Sequence, residues 1–125
     1  YSKAIDGSLH VAGVRKEDVK VVKTHGTGTD ANNKAEKAAL QRSLDEFVAT
    51  SYKPRIGHTL SASGLLETGL LLNDMECGIV PQILNRTEND DVFLSYDAPA
   101  PQGPFLSLAA GMGNIYSAAI FSAEV

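Results

Sequence analysis

Residues 19–29 of this chain read VKVVKTHGTGT: a short run rich in β-branched residues, then a histidine, then alternating glycine and threonine. The run at 18–22 predicts a core strand, because β-branched side chains favour extended backbone. This strand would place His25 at its carboxyl end, and the glycine-rich segment would form the loop that follows. In layered α/β proteins ligands collect at the carboxyl ends of strands, so His25 is a candidate site residue.

The composition of the chain is that of an ordinary globular domain. Its 125 residues are 43% hydrophobic and 21% charged, which suits one domain over residues 1–125 that buries about two-thirds of its unfolded surface. The net charge of −4 is mild and the lysines and arginines are scattered. We therefore expect no nucleic-acid binding, because no basic stripe is available to neutralise phosphates.

The sequence predicts neither a membrane span nor a targeting segment. The longest apolar-rich stretch, residues 60–72, contains serine, glutamate and threonine and is shorter than the ~20 apolar residues of a membrane helix. The chain starts at Tyr1 without a basic or apolar leader, which predicts a cytoplasmic protein, or a piece of something longer. A lone Cys77 agrees with a reducing compartment, and its place at the end of an apolar stretch predicts a buried structural thiol.

Hydrophobic periodicity predicts alternating helices and strands. Residues 2–12 have apolar side chains at helical spacing and stop at Gly13, and residues 31–47 form an amphipathic helix. Residues 61–77 are apolar almost all round, which predicts a helix buried between layers. The other expected segments are extended runs at 18–22, 48–52, 79–84, 105–110 and 115–121, a polar loop at 85–91, a proline-rich connection after residue 97 and a hairpin turn at 111–114. This order predicts a layered α/β fold.

A second histidine, His58, has a setting similar to that of His25. It occurs in Gly57-His58-Thr59, after a short polar loop that carries Lys53. Two imidazoles at the ends of two core elements predict one shared site. A neutral imidazole donates a hydrogen bond to a carbonyl and so stabilises an enolate, while the N–H groups of glycine-rich turns form oxyanion holes. Together these groups favour carbon–carbon bond formation on a thioester.

These motifs resemble the C-terminal half of the β-ketoacyl synthases. The resemblance begins with the histidine motif at residues 25–29 and with Glu36, eleven positions after His25. It continues with Lys53, five positions before His58. Further matches are the small residues at 61–64, Glu67, and the extended segment from Gly78 to Asn85. The resemblance therefore covers essentially the whole chain.

The resemblance implies a fold, a reaction and a set of partners. The fold would be α/β and thiolase-like, the C-terminal half of an αβαβα layered architecture with a mixed sheet packed by helices. The whole protein would be an acyltransferase that condenses an acyl thioester with malonyl-acyl carrier protein in fatty-acid or polyketide-type synthesis. Its nucleophilic cysteine would lie in an N-terminal lobe outside this chain, so the chain alone should be inactive. The implied partners are acyl carrier protein with its phosphopantetheine arm, the N-terminal lobe, and a second subunit in a homodimer or heterodimer; no metal or cofactor is implied.

The same resemblance implies catalytic roles for three residues. His25 and His58 would polarise the malonyl thioester and stabilise the enolate that forms. Lys53 would orient this pair electrostatically together with Glu67. The remaining histidine, His10, belongs to no motif, which predicts a structural or surface role.

The resemblance also implies residues that bind substrate or support the site. Two segments of the chain depart from the family pattern. Thr27 and Thr29 would hydrogen-bond the pantetheine arm, and Glu36 would give structural support. The family usually has Gly-Asp where this chain has Asn-Asn at residues 32–33, a change expected to alter the loop. The final turn carries Met112 in place of a phenylalanine, although the N–H group of Met112 can still serve an oxyanion hole.

Alternatives to a condensing enzyme also follow from these motifs. Each histidine and threonine could be structural, and Lys53 could be a solvated loop lysine. A nucleotide-binding module is disfavoured, because the loop lacks the Gly-Lys-Ser/Thr ending of a P-loop. A zinc site on His25, His58 and Cys77 is disfavoured, because no close-spaced ligand pair exists. The stronger alternative is a non-catalytic ketosynthase-like partner of the chain-length-factor type, which usually lacks the nucleophile or the histidines.

Overall fold

A four-stranded mixed sheet is the centre of the fold in this computed structural model, which describes residues 1–85 and 92–122. Strand β1, Val21–Lys23, lies between two parallel neighbours, β2 at Val48–Thr50 and β5 at Pro104–Gly111. Strand β6, Ile115–Ser122, pairs antiparallel with β5 at the edge. The order β2-β1-β5-β6 therefore brings a strand from the end of the chain directly against β1.

Helices cover both faces of the sheet. Helices α1, Ser2–Ala12, and α2, Asp30–Ser43, lie on one face. Helix α4, Ser63–Glu76, lies on the other, and the short α3, Lys53–Ile56, connects β2 towards it.

The alternation of side chains along β1 divides the core in two. Val22 packs with Ile5 and Leu40 in the cluster under α1 and α2. Val21 packs with Leu71 and Phe105 in the cluster under α4. Because successive side chains of a strand point to opposite faces, Lys23 follows Val21 towards α4.

A second, two-stranded sheet follows α4. Strand β3, Ile79–Val80, pairs antiparallel with β4, Ala98–Pro99. The extended segment predicted at 79–84 is therefore a strand over two residues only, and β4 lies in a stretch for which an irregular connection was expected. The polar loop predicted at 85–91 falls outside the described residues except for Asn85.

The predicted layered α/β fold is confirmed, and so are its first helix and its closing hairpin. Helix α1 ends at Ala12, and Gly13 caps it with a left-handed φ of 65°. The hairpin turn between β5 and β6 has positive φ at Gly113 and Asn114. No helix within residues 1–85 or 92–122 has the length and apolar character needed to cross a membrane.

Several element boundaries differ from the prediction, three of them near the site. The strand at 18–22 starts only at Val21, because Lys16–Asp18 form a 3-10 turn braced by the ion pair of Arg15 with Asp18. Helix α2 ends at Ser43 rather than near residue 47, since the next residue is extended. Lys53 begins the short helix α3 rather than lying in a loop, with a proline in the first turn, where its missing N–H costs nothing.

The predictions that Cys77 is buried and that the third long helix is covered all round are both wrong. Cys77 is exposed just after the end of α4. Helix α4 buries Leu71 against the sheet, yet Leu65 is 82% exposed on its outer side. The reason is that, in the part of the chain described, α4 has the sheet on one side and no further layer on the other.

Candidate active site

A cavity of about 740 Å³ opens where β1 ends, beside the start of α4 and the tip of the β5–β6 hairpin. Its walls bring together residues that are far apart in the sequence. The lining includes Met112 at the tip of the hairpin and five polar residues with reactive or charged side chains: Lys23, His25, Lys53, His58 and Ser63.

The two predicted histidines lie next to each other in the lining of this cavity. Their ring centroids lie 5.6 Å apart, with the rings nearly perpendicular at 79°. The side chain of His25 is only 7% exposed, whereas His58 is exposed to solvent. The N–H group of Leu60 donates a hydrogen bond of 3.1 Å to Nδ1 of His58. Since Nδ1 accepts, neutral His58 carries its proton on Nε2, which makes Nε2 a hydrogen-bond donor.

The protein holds His25 in its neutral form. Burial is the largest cause that lowers the pKa of His25, from 6.5 to about 4, and the nearby charge of Lys53 adds to it, with smaller contributions from His58 and Lys23. Glu67 acts in the opposite direction. At neutral pH the imidazole is therefore uncharged and can donate a hydrogen bond from one nitrogen.

Glu36 fixes the loop that carries His25. Its fully buried carboxylate accepts hydrogen bonds from the N–H groups of His25, at 2.6 Å, and Gly26, at 2.8 Å. The side-chain amide of Asn32 donates to the same carboxylate at 2.7 Å, and Asn32 in turn accepts from the hydroxyl of Tyr1. Burial raises the pKa of Glu36, and these hydrogen bonds oppose that shift. We call the hydrogen bonds of Glu36 to the N–H groups of His25 and Gly26 the clamp. Asn32, one of the two residues that depart from the family pattern, thus donates a hydrogen bond that holds the clamp in place.

Gly26 is required by the path of this loop. Its φ of 58° is left-handed, and a Cβ there would overlap the side chain of Ser51. The loop therefore passes too close to the end of β2 for any larger residue.

A buried lysine–carboxylate cluster forms the inner wall of the cavity. Lys53 Nζ donates to Glu67 Oε1 at 2.7 Å, and Ser63 Oγ donates to the same oxygen at 2.5 Å. On the other side of Glu67, Lys23 Nζ lies 3.6 Å from Oε2 and donates to the carbonyl of Leu108 at 2.6 Å. Burial lowers the pKa of Lys23, against the attraction of Glu67.

Lys23 was not among the residues that the sequence singled out. The signal that could have found it is its spacing: Lys23 is two positions before His25, and alternate residues of an extended segment share a face. A charged residue inside a β-branched core run is itself unusual, since lysine is rarely buried without a partner.

The remaining predicted residues occupy different places. Thr27 and Thr29 are exposed on the loop after His25, with their hydroxyls 3.4 Å apart, and neither lines the cavity. Met112 is 96% exposed at the hairpin tip and lines the cavity mouth. Cys77 does not line the cavity. His10 is exposed on α1.

The chemistry of the site is that of hydrogen-bond donors and positive charge. In the described residues no group of three histidine, cysteine, aspartate or glutamate side chains is placed to hold a metal ion. The cavity lining includes the two imidazoles, residues of the hairpin tip, and the lysines Lys23 and Lys53. Such a wall can stabilise negative charge that develops on a carbonyl oxygen.

The chain is similar to known proteins over nearly all of its length. Residues 1–87 match the family model described as beta-ketoacyl synthase, C-terminal domain. The chain is 32% identical over 97% of its length to the tetracenomycin polyketide synthase ketoacyl synthase alpha subunit of Streptomyces glaucescens, and covers 30% of that protein. It is 30% identical over 79% of its length to 3-oxoacyl-[acyl-carrier-protein] synthase 2 of Mycobacterium leprae, and covers 24% of it. The chain thus spans less than a third of the length of these relatives.

Solved structures show the same fold. The ishigamide ketosynthase/chain length factor superposes with a TM-score of 0.79 at 27% identity, over 93% of this chain and 31% of the other. The oxazolomycin ketosynthase domain OzmH KS8 of Streptomyces albus superposes with a TM-score of 0.81 at 18% identity, over 98% of this chain and 39% of the other.

Proposed function

Since this chain belongs to the β-ketoacyl synthase family, we propose that it supplies the histidine and lysine half of a condensing active site in a longer protein. The whole protein would join an acyl thioester to malonyl-acyl carrier protein by decarboxylative Claisen condensation. The observation that carries this proposal is the pairing of His25 and His58, 5.6 Å apart, in one cavity with the Lys53–Glu67 ion pair.

The proposed reaction needs donors that hold a developing oxyanion. When the bond from the malonyl carbon to its carboxylate breaks, carbon dioxide leaves and the electron pair moves onto the thioester oxygen. The resulting enolate carbon then attacks the carbonyl of the acyl chain held on a cysteine. The new carbon–carbon bond forms as the carbon–sulfur bond breaks and the thiolate leaves.

The two histidines suit the first of these steps. His58 has its Nδ1 occupied by the N–H group of Leu60, so its Nε2–H is free to donate to the thioester oxygen. His25 stays neutral at pH 7 because its pKa is about 4, and a neutral imidazole still carries one N–H group that can donate to the oxygen. Two donors aimed at one oxygen stabilise the enolate more than the uncharged thioester, which is the requirement for catalysis.

The nucleophile and part of the substrate site would come from outside the chain. Cys77, the one cysteine of the sequence, is exposed after α4 and away from the cavity. We therefore propose an N-terminal lobe that contributes the cysteine, and an isolated chain that is inactive. Exposed apolar residues support such a covering lobe: Leu60, Met112 and Ile115 line the cavity, and Leu65 and Leu66 lie on α4.

The remaining assignments extend the same proposal. Thr27 and Thr29 would contact the pantetheine arm of acyl carrier protein, and the N–H group of Met112 would complete an oxyanion hole for the acyl thioester. Polyketide-type rather than fatty-acid synthesis is supported by the names of several curated relatives, which, like the tetracenomycin subunit, are polyketide synthase proteins. The reaction would take place in the cytoplasm, and the whole protein would act as a homodimer or heterodimer.

One alternative is a non-catalytic partner of the chain-length-factor type. It is kept because the name of one structural neighbour, the ishigamide ketosynthase/chain length factor, includes such a partner. The presence of both His25 and His58 in one cavity favours a catalytic subunit instead. A cysteine upstream, in a turn of small residues, would support catalysis, and a glutamine or serine there would support the partner.

The test is a condensation assay on the natural full-length protein that contains these residues. Supplied with acyl- and malonyl-acyl carrier protein, it should release carbon dioxide and form the β-ketoacyl product. His25→Ala and His58→Ala should each lower product formation by 100-fold or more, on the order expected for lost oxyanion donors. His10→Ala, at an exposed site on α1, is the matched control and should keep wild-type activity. Full activity in either active-site variant would refute the assigned roles.

A further inference from the structure

Lys23 is a buried lysine for which the family reaction, as described above, has no use. Its side chain is 0% exposed, and its ammonium group lies at the cavity's inner wall. Burying an ammonium group is costly unless it is paired and hydrogen-bonded. Its hydrogen bond to the Leu108 carbonyl satisfies one of its protons, and a long 3.6 Å contact to Glu67 supplies the opposite charge. A stable core alone does not require a lysine here, because an apolar residue of similar length would fill the same volume.

The two oxygens of the Glu67 carboxylate have different partners. Its Oε1 accepts from Lys53 and Ser63, whereas its Oε2 accepts no hydrogen bond within the described residues and faces Lys23 at ion-pair distance. One carboxylate thus stands between two ammonium groups. The inner wall of the cavity carries more positive charge than a single lysine–glutamate pair would give it.

We propose that Lys23 is a positioning residue of the active site: its buried ammonium group shares Glu67 with Lys53, in the wall of the cavity that His25 also lines, and its charge opposes a positive charge on the imidazole of His25. The use of an uncharged His25 as a hydrogen-bond donor rests on the proposed condensation. The electrostatic effect on His25 does not, and it is measured separately.

Charged groups on several elements around His25 affect its pKa. Lys23 acts from β1, Lys53 from α3 and His58 from the following loop, and all three disfavour a second positive charge. Glu67 acts from α4 in the opposite sense. Glu36, on α2, is held by the N–H groups of the loop itself. Removing Lys23 both deletes one cation and leaves Glu67 less neutralised. Both changes favour protonation of His25, so the expected direction is unambiguous.

The test is an NMR titration of the imidazole of His25 in the full-length protein, with selectively labelled histidine. Lys23→Met keeps the length of the side chain, and Lys23→Gln keeps a donor for the Leu108 carbonyl; both remove the charge. In each, the pKa of His25 should rise by roughly half a unit or more, as for loss of a nearby like charge. Lys20→Met is the control: it removes a lysine that pairs with Glu46 on the surface, and should leave the titration unchanged.

A second readout is the pH profile of condensation. The acidic limb should move to higher pH in both Lys23 variants, while activity at high pH, where His25 is neutral in any case, is largely kept. A His25 titration that matches wild type in folded Lys23→Met and Lys23→Gln would overturn the proposal. Failure of both variants to fold would also overturn it, by assigning Lys23 a structural role. A shifted titration in a protein without condensing activity would support the electrostatic role and refute the proposed function instead.

Discussion

Acidification should destabilise the folded chain through His25. The pKa of this residue is about 4 in the folded state against an ordinary value of 6.5, so the unfolded chain binds the proton first. Stability is therefore fully present above pH 6.5 and is lost as the pH falls through 6.5, until both states are protonated below about 4.

The size of this effect follows from the two pKa values. Between pH 7 and pH 5 the linkage relation gives a loss of about 2 kcal/mol, and the full loss at lower pH is on the order of 3 kcal/mol. Solvent screening removes little of it, because His25 is only 7% exposed. The carboxylates of the chain also titrate in acid, so the contribution of His25 must be separated from theirs.

Urea denaturation of wild type and His25→Gln at pH 7, 6 and 5 makes that separation. The free energy of unfolding of the wild type should fall by about 2 kcal/mol more than that of the variant between pH 7 and pH 5. His10→Gln, which removes the exposed histidine of α1, should follow the wild type. Parallel pH dependence in wild type and His25→Gln would show that His25 is not held neutral by the fold.

Two further predictions concern the loop that carries His25. Glu36→Ala should lower the free energy of unfolding by about 3 kcal/mol, because the buried N–H group of His25 and the half-buried N–H group of Gly26 lose their acceptor. Glu46→Ala, on the surface, should change it by less than about 0.5 kcal/mol. Equal losses for the two variants in urea denaturation would contradict the role of Glu36 in holding the loop. Gly26→Ala should cost about 2 kcal/mol or more, through its left-handed φ and the overlap with Ser51. Gly69→Ala, in α4 with nothing within 4 Å of the added methyl group, should instead stabilise by about 0.5–1 kcal/mol in thermal unfolding.

The parts of the site that sequence predicted are those with a local cause. His25 follows a β-branched run and precedes a glycine that its loop requires, so its place at the end of a strand could be inferred from neighbouring residues. The hairpin at the end of the chain was found for the same reason, since its turn residues lie between two runs that pair with each other. The thiolase-like fold, by contrast, was predicted from the spacing of the motifs, which is a property of the family and not of local interactions.

The parts that sequence missed depend on contacts between distant segments. Lys23 is buried because β5, more than eighty positions later, pairs with β1 and brings Leu108 to its ammonium group. Cys77, the residue just after α4, is exposed, and an apolar sequence cannot show which of its residues the fold covers. Lys53 was expected in a loop, although the proline that follows it favours the first turn of a helix.

The sheet order also sets when each half of the site can form during synthesis. The clamp on His25 needs only Glu36, eleven residues later, so it can close once α2 has left the ribosome. The Lys23 ammonium must wait for Leu108, 85 residues later, and for the hairpin that presents it. Contacts over such separations form late, because loop closure must precede them. In a nascent or truncated chain that ends before β5, the loop that carries His25 would therefore be formed while the side chain of Lys23 is still exposed to water. The edge of β1 that pairs with β5 would also be unpaired, and such an edge favours association with other chains.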